Sequence, residues 1–201
     1  MPYTAMKSER KALLGGTFDP VHIGHINLFH SVNDMTDITT LYVIPNFVSN
    51  FKRDRKTASF DDRMAMLNLA VLDYSDLYPL DELNIVVSDW EGRRGGVSYT
   101  SETIRALYEE LEDDGKVNFI IGDDLVDGLH RWHDADYLKS HVRFWCFVRD
   151  GIVKREVEGF EVHYVESNQT AASSTAVRDG DLSLVTEGVR EYIEENGLYT
   201  S

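Results

Sequence analysis

Hydrophobic positions along the chain fall into short β-branched runs separated by longer stretches with helical spacing. Lys11–Leu14 reads as a first strand running into Gly15 and Gly16, and Ile23–Met35 follows as a helix. Leu41–Ile44 is a second strand, stopped by Pro45. Ser59–Leu72 has helical spacing with Met64, Leu67, Ala70 and Val71 on one side; Ser59 and Asp62 resemble a capping box with Asp in place of Glu. Ile85–Val87 reads as a short strand and Ser101–Leu111 as a helix ended by Gly115. Val117–Ile121 and Phe144–Val148 are continuous apolar strands of the kind buried on both faces, and Val162–Val165 is a weaker one. Val185–Glu194 closes the chain as a helix with Gly197 beyond its end. Strands alternating with helices predict a doubly wound, parallel α/β sheet. The chain reads as one domain over 1–201, with a small helical part at the C-terminal end and a flexible extension at 1–10. Ligands of such sheets sit beyond the carboxyl ends of the strands near a topological switch point, so the loops after Leu14, Ile44 and Ile121 are the places to search.

Composition narrows the class. A chain of 201 residues buries roughly 70% of its unfolded surface and needs no staple to build a core. No apolar run reaches the length of a membrane span, and Met1–Arg10 has no apolar leader segment. Cys146 is the one cysteine, which excludes an internal disulfide and a multi-cysteine metal cluster and makes a reducing cytoplasm the expected compartment. With 20 basic and 35 acidic residues the formal charge is -15, which argues against non-specific nucleic-acid binding. An anionic small substrate then requires positive charge gathered locally, and Lys52, Arg53, Arg55 and Lys56 supply such a cluster.

The segment from Leu14 through Gly15, Gly16, Thr17, Phe18, Asp19, Pro20, Val21, His22, Ile23 and Gly24 to His25 follows a strand and opens a helix. Its glycines allow close approach of a ligand, and N–H groups at a helix N-terminus favour phosphate. Thr17 adds a hydroxyl donor. His22 and His25 are three positions apart and share one side of the first turn, where imidazole donors suit charge stabilisation in phosphoryl or nucleotidyl transfer. Zinc ligation by the pair lacks a third ligand, and no Gly-Lys-Ser/Thr follows to make a Walker loop. A second candidate lies at Ala172-Ser173-Ser174-Thr175-Ala176-Val177-Arg178, where hydroxyl residues open a helix and an arginine follows one turn on.

These two stretches resemble the paired signatures of the nucleotidyltransferase α/β phosphodiesterase superfamily, whose hallmark is (His/Thr)-x-Gly-His. Three further stretches are similar to bacterial nicotinate (or nicotinamide) mononucleotide adenylyltransferases. They are Arg94 and Gly95 with Ser98-Tyr99-Thr100, Ile121-Gly122-Asp123-Asp124-Leu125 with Trp132, and Tyr192-Ile193 with Gly197-Leu198-Tyr199. The resemblance implies a Rossmann-like fold and an enzyme of NAD biosynthesis. That enzyme would transfer the adenylyl group of ATP to nicotinate mononucleotide and release pyrophosphate, with Mg²⁺ accompanying the ATP. It implies that His22, His25, Lys52 and Arg178 act in catalysis. Gly15, Gly16, Thr17, Phe18, Gly122, Asp124, Ser173, Ser174 and Thr175 would join the histidines and Arg178 around ATP. Ser98, Tyr99, Thr100, Trp132, His133 and Lys52 would hold the mononucleotide, with Trp132 stacked on the pyridine ring. No resident metal, nucleic acid or membrane partner is implied, and a homo-oligomer is compatible with it.

Three positions depart from the pattern. Asn50-Phe51-Lys52 stands where the family carries Pro-His-Lys or Pro-His-Arg, Ala172 replaces Ile, and His133 replaces a common aromatic. Other conspicuous residues read as structural: Cys146 in an apolar strand, His130 with His133, the acidic run of Glu109, Glu110, Glu112, Asp113 and Asp114, and the Trp90 and Trp145 rings. Alternatives at this level are nicotinamide as the acceptor base, a cytidylyltransferase, and a non-catalytic nucleotide-binding regulator.

Overall fold

Successive residues of β1 (Lys11–Gly16) are buried on opposite sides: Ala12 and Leu14 join one apolar cluster and Leu13 the other. A strand that buries both faces needs a layer of helices on each, and that is the architecture found. The structure, a computed structural model, describes residues 9–49, 57–148, 154–168 and 171–199. Its elements run β1, α1 (Ile23–Met35), β2 (Thr40–Pro45), β3 (Val48–Ser49), α2 (Phe60–Leu77), β4 (Asn84–Val87), α3 (Trp90–Arg94), β5 (Val97–Ser98) and α4 (Thr100–Leu111). They continue as β6 (Glu112–Asp113), β7 (Lys116–Ile121), α5 (Asp123–Val126), α6 (Ala135–His141), β8 (Val142–Val148), β9 (Glu161–Glu166), α7 (Ser174–Arg178) and α8 (Glu187–Glu195).

The main sheet has the order β4-β2-β1-β7-β8-β9, with all these neighbours parallel, and β6 pairs antiparallel with the start of β7. The chain winds outward from β1 in one direction and from β7 in the other, so the switch point lies between their carboxyl ends. Ile26, Phe29 and Val32 of α1, Met66, Leu67 and Ala70 of α2, and Val189 and Ile193 of α8 cover one face. Ile104 of α4, Val126 of α5 and Leu138 of α6 cover the other. The expected doubly wound sheet is therefore observed, with α7 and α8 as its small C-terminal helical part. Outside it, β3 and β5 form a separate parallel pair.

Several expectations are corrected. The second helix runs on to Leu77, and its buried residues are Arg63, Met66, Leu67, Ala70 and Tyr74; Met64 and Val71 are only half-buried. The apolar stripe is rotated because Arg63, a charged residue, is one of its members. Ser59 caps α2 by accepting from the Asp62 N–H at 3.0 Å, but Asp62 answers by accepting from the Ser59 hydroxyl at 2.5 Å instead of reaching the cap's backbone. Gly115 does not end a helix. It follows Asp114 in a two-residue turn between β6 and β7, with φ of 78° and 53° respectively, the left-handed geometry that Asp-Gly hairpin turns favour. The last helix begins at Glu187, after a single 3₁₀ turn at Leu182–Leu184. Of the extension expected at 1–10, residues 1–8 lie outside the described residues; Arg10 makes ion pairs to Asp37 at 2.7 Å and Asp113 at 2.8 Å, and its carbonyl accepts from the Thr39 N–H at 2.8 Å. Cys146 is buried in β8, and burial pushes its thiol up to about 12, as packing predicts. No described helix is long and apolar enough to cross a membrane.

Candidate active site

A cavity of about 260 Å³ opens at the switch point. Gly15, Gly16 and Thr17 form one wall after β1, Ile121, Gly122 and Asp124 another after β7, and Asn46, Thr100 and Trp132 complete it. A Cβ on Gly16 would come within 2.8 Å of the Phe18 ring, and one on Gly122 within 2.6 Å of the Asp124 carboxylate. Both glycines therefore make room for a neighbour that folds back over the loop. Phe18 itself is buried with φ 48°, a strained conformation for a bulky residue. Arg63 holds that strain in place. Its guanidinium is 2% exposed and donates to the Thr17 and Asn46 carbonyls at 2.8 Å each and to the Phe47 carbonyl at 3.2 Å. It thereby ties the loop after β1 to the loop after β2.

The histidine pair caps α1. His22 is the N-cap residue: its Nδ1 accepts from the Gly24 N–H at 3.1 Å, while His25 Nδ1 accepts from the His22 N–H at 3.1 Å. This reproduces a capping box with imidazoles in place of hydroxyl and carboxylate. An Nδ1 that accepts is unprotonated, so each neutral ring carries its proton on Nε2. Burial pushes His22 down to about 4, which keeps that ring neutral at physiological pH. The rings lie 3.9 Å apart, with Phe18 5.0 Å from His25. Gly24 permits the arrangement, because a Cβ there would meet the His22 ring at 2.9 Å.

The second motif is stitched onto this loop. Ser173 caps α7 by accepting from Ala176 N–H at 3.1 Å, and the Ser174 hydroxyl donates to the Pro20 carbonyl at 2.9 Å. Arg178 donates from Nη1 to the Asp19 carbonyl, stands 3.5 Å from the Asp19 carboxylate and donates to the Thr175 hydroxyl at 3.0 Å. Asp19 is 2% exposed, and its Oδ1 accepts from Ala58 N–H at 3.0 Å and from the Tyr199 hydroxyl at 2.8 Å. The structure thus joins His22, His25, Ser174 and Arg178 at one end of the sheet. Burial and the Asp19 charge raise the Tyr199 phenol, which stays neutral as a donor.

Across the cavity, Trp132 packs edge-on against Phe119 and Phe144, with centroids at 6.1 and 6.2 Å. His133 Nδ1 lies 2.9 Å from the Ser101 hydroxyl and its ring 4.4 Å from that of Tyr99. Ser98 is buried; its hydroxyl donates to Glu91 and accepts from the Phe47 N–H at 3.2 Å. Among the described residues no group of three or more side chains is placed to hold a metal ion.

The cytidylyltransferase-like family model matches residues 13–180, which contain both motifs and every wall of the cavity. The chain belongs to the cytidylyltransferase-like family. It is a nucleotidyltransferase of that family by its curated relatives as well. A probable nicotinate-nucleotide adenylyltransferase of Geobacillus thermodenitrificans is 35% identical over 193 residues, covering 93% of this chain and 84% of the relative. One of Treponema pallidum, with the same name, is 34% identical over 209 residues, covering 94% and 98%. Two solved structures of the Plasmodium falciparum nicotinic acid mononucleotide adenylyltransferase share the fold. The complex with APC has a TM-score of 0.76 at 17% identity, and the complex with NaAD has 0.72 at 16%; each covers 95% of this chain and 97% of that one.

Of the residues the sequence singled out, Gly15, Gly16, Thr17, Thr100, Gly122, Asp124 and Trp132 line the cavity, whereas the histidines and the α7 motif are joined to each other through the loop after β1 and are not among its walls. Lys52 and the neighbouring Arg53, Arg55 and Lys56 lie outside the described residues. Asn46, Asp19, Arg63, Glu91 and the Tyr199 hydroxyl were missed as parts of the site. A charged Arg63 on the apolar stripe of α2 was the one signal in the sequence pointing to a buried tether. Trp145 and His163 stack at 5.2 Å on the sheet, away from the cavity walls.

Proposed function

We propose that this nucleotidyltransferase transfers the adenylyl group of ATP to nicotinate mononucleotide, forming the deamido dinucleotide and pyrophosphate. The observation that carries this reading is the histidine cap of α1: two imidazoles whose Nδ1 atoms accept backbone N–H groups, on a loop that is bonded to α7 and continues the Gly15–Thr17 wall of the switch-point cavity. The names of the curated relatives and the ligands of the fold neighbours point to the same substrates.

In the reaction a 5′-phosphate oxygen of the mononucleotide attacks the α-phosphorus of ATP. The new P–O bond forms as the bond to the β-phosphate oxygen breaks, and the electron pair leaves with pyrophosphate. The attacking phosphate is already an anion, so no strong general base is required, and rate depends on alignment and on stabilising charge in the transferring group. Neutral His22 and its neighbour His25 meet the polyphosphate from α1, and Ser173, Ser174, Thr175 and Arg178 meet it from α7, with Gly15, Gly16, Thr17 and Phe18 shaping the loop. Gly122 and Asp124 lie beside the adenosine ribose. Trp132 stacks on the cationic pyridine, and the backbone around Tyr99, Thr100 and His133 faces the nicotinate carboxylate. Lys52 supplies a further cation. Mg²⁺ brought in with ATP would supply neutralisation of phosphate charge, since no cluster of described side chains is built to hold it. Asp124 is the one carboxylate among the described cavity walls.

A pyrophosphate-release assay tests the reading. Turnover with ATP and nicotinate mononucleotide should exceed that with nicotinamide mononucleotide in kcat/KM. Turnover only with CTP and another phosphate-bearing acceptor would overturn it, as would ATP binding without release under any acceptor.

A further inference from the structure

The molecule buries a carboxylate that the transfer reaction does not use. Glu91 lies on α3, is 3% exposed, and accepts hydrogen bonds from the hydroxyls of Ser98 and Thr103, one on each carboxylate oxygen. Thr103 is itself 3% exposed and Ser98 7%. These two donors bracket the segment Tyr99–Glu102, which opens α4 and brings Thr100 to the cavity wall. The bracketed residues in turn hold the tryptophan loop, through the Tyr99 ring against His133 at 4.4 Å and the Ser101 hydroxyl at 2.9 Å from His133 Nδ1. On the other side, Ser98 accepts the Phe47 N–H at 3.2 Å and so fixes the residue after Asn46, another wall. Gly92, next to Glu91, leaves space for Phe60, because a Cβ there would meet that ring at 2.2 Å.

We infer that Glu91 is a positioning residue for the mononucleotide half of the cavity: its buried carboxylate sets the Thr100 backbone and the Trp132 loop at the spacing an aromatic mononucleotide requires. This rests on the proposed adenylyl transfer and deepens it. The hydroxyl pair explains why a carboxylate is needed. Both oxygens must accept, since Ser98 already takes the Phe47 N–H and has its own proton to give. An amide would present N–H to one of the two hydroxyls: at Ser98 that leaves the hydroxyl's proton without an acceptor, and at Thr103 it turns that proton to the Tyr99 carbonyl, 3.3 Å away, and replaces a charge-assisted bond to α3 by a weaker neutral one. Thr100 and His133 are tied to this bracket directly, whereas the loop after β1 is reached only at second hand, through Phe47 and the Arg63 guanidinium that also binds Thr17, so the mononucleotide side responds first.

The test is steady-state kinetics on Glu91→Gln, Thr103→Val and Thr103→Ser, each also melted. Misplacing a binding wall without touching the reacting groups raises KM for one substrate. The expected result is about a tenfold rise in KM for nicotinate mononucleotide in Glu91→Gln, with KM for ATP within about twofold of wild type. Thr103→Val should reproduce the rise, and Thr103→Ser, which keeps the donor, should restore the wild-type value. If Glu91→Gln does not fold, the Thr103 pair carries the comparison alone. Equal rises in both KM values, an unchanged mononucleotide KM, or identical behaviour of Thr103→Val and Thr103→Ser would overturn the inference while leaving the adenylyl-transfer reading intact. A wild-type enzyme that turns over neither pyridine mononucleotide overturns both.

Discussion

Arg178 leans on Asp19: its Nη1 donates to the Asp19 carbonyl and stands 3.5 Å from the carboxylate. The contact links residues 159 positions apart and sets the distance between the two sequence motifs. Asp19 is the point where four segments meet, since its carboxylate also accepts from Ala58 and from Tyr199. Removing its carboxylate takes the opposite charge from a largely buried guanidinium and the acceptor from the Ala58 N–H and the Tyr199 phenol. Asp19→Ala should therefore cost about 3–5 kcal/mol, as breaking a buried pair does. For a chain this long that lowers Tm by roughly 10 °C. Thermal melts measure it. A Tm within a degree or two of wild type would show that the junction contributes little to the fold.

His22 makes stability depend on acid. Burial holds its folded value at about 4, below the ordinary 6.5 of an unfolded chain. Between those values the unfolded state binds the extra proton, so stability present at neutral pH is lost as pH falls from 6.5 towards 4, by about 3 kcal/mol at the lower end. Asn at position 22 keeps a side-chain acceptor for the Gly24 N–H but has no imidazole to protonate and no Nε2 donor. His22→Asn should flatten this acid limb in urea titrations between pH 4.5 and 7 while lowering turnover by about 10². An unchanged acid limb would assign the titration to another group.

Gly24 separates helix stability from chemistry. Glycine near the start of a helix is ordinarily a liability, and alanine would gain up to about 1 kcal/mol. Here an added methyl would meet His22 Cε1 at 2.9 Å and Nδ1 at 3.0 Å, so the ring must swing off its cap. Gly24→Ala should remain folded, with a Tm within a few degrees of wild type, and lose about 10² in kcat. Wild-type turnover in that variant would mean that the His22 orientation is immaterial to the reaction.

The sheet and both motifs were legible because local pattern dictates them: continuous apolar runs for β7 and β8, and glycine, histidine and hydroxyl residues at helix starts for the loops. What escaped depends on tertiary partners. Arg63 carries no local mark of the four carbonyls it would bind, those of Thr17, Asn46, Phe47 and Ala58, and Tyr199 none of Asp19, 180 positions away. The α2 stripe was misplaced for the same reason, since scoring apolar residues alone passes over a buried arginine. Gly115 shows a different failure. A glycine after a helical run signals a C-cap, but the preceding Asp114 makes an equally good hairpin turn, and pairing of Glu112 with Val117 decides between them.

Trp132 offers the sharpest separation of the two substrates. Its indole is fixed edge-on by Phe119 and Phe144, with interplanar angles of 86° and 88°, and it lines the cavity opposite the histidine loop. A planar cation stacked on a partly desolvated indole gains on the order of 1–2 kcal/mol, which corresponds to about a tenfold change in affinity. Trp132→Leu removes the aromatic face but keeps apolar bulk against the two phenylalanines. The expected result is a mononucleotide KM higher by about tenfold, with ATP affinity unchanged in calorimetry. Trp132→Phe should fall between Leu and wild type, because phenyl attracts cations more weakly than indole. Equal losses for ATP and mononucleotide in Trp132→Leu would place the indole in the general shape of the cavity, and the pyridine ring would then have to bind elsewhere.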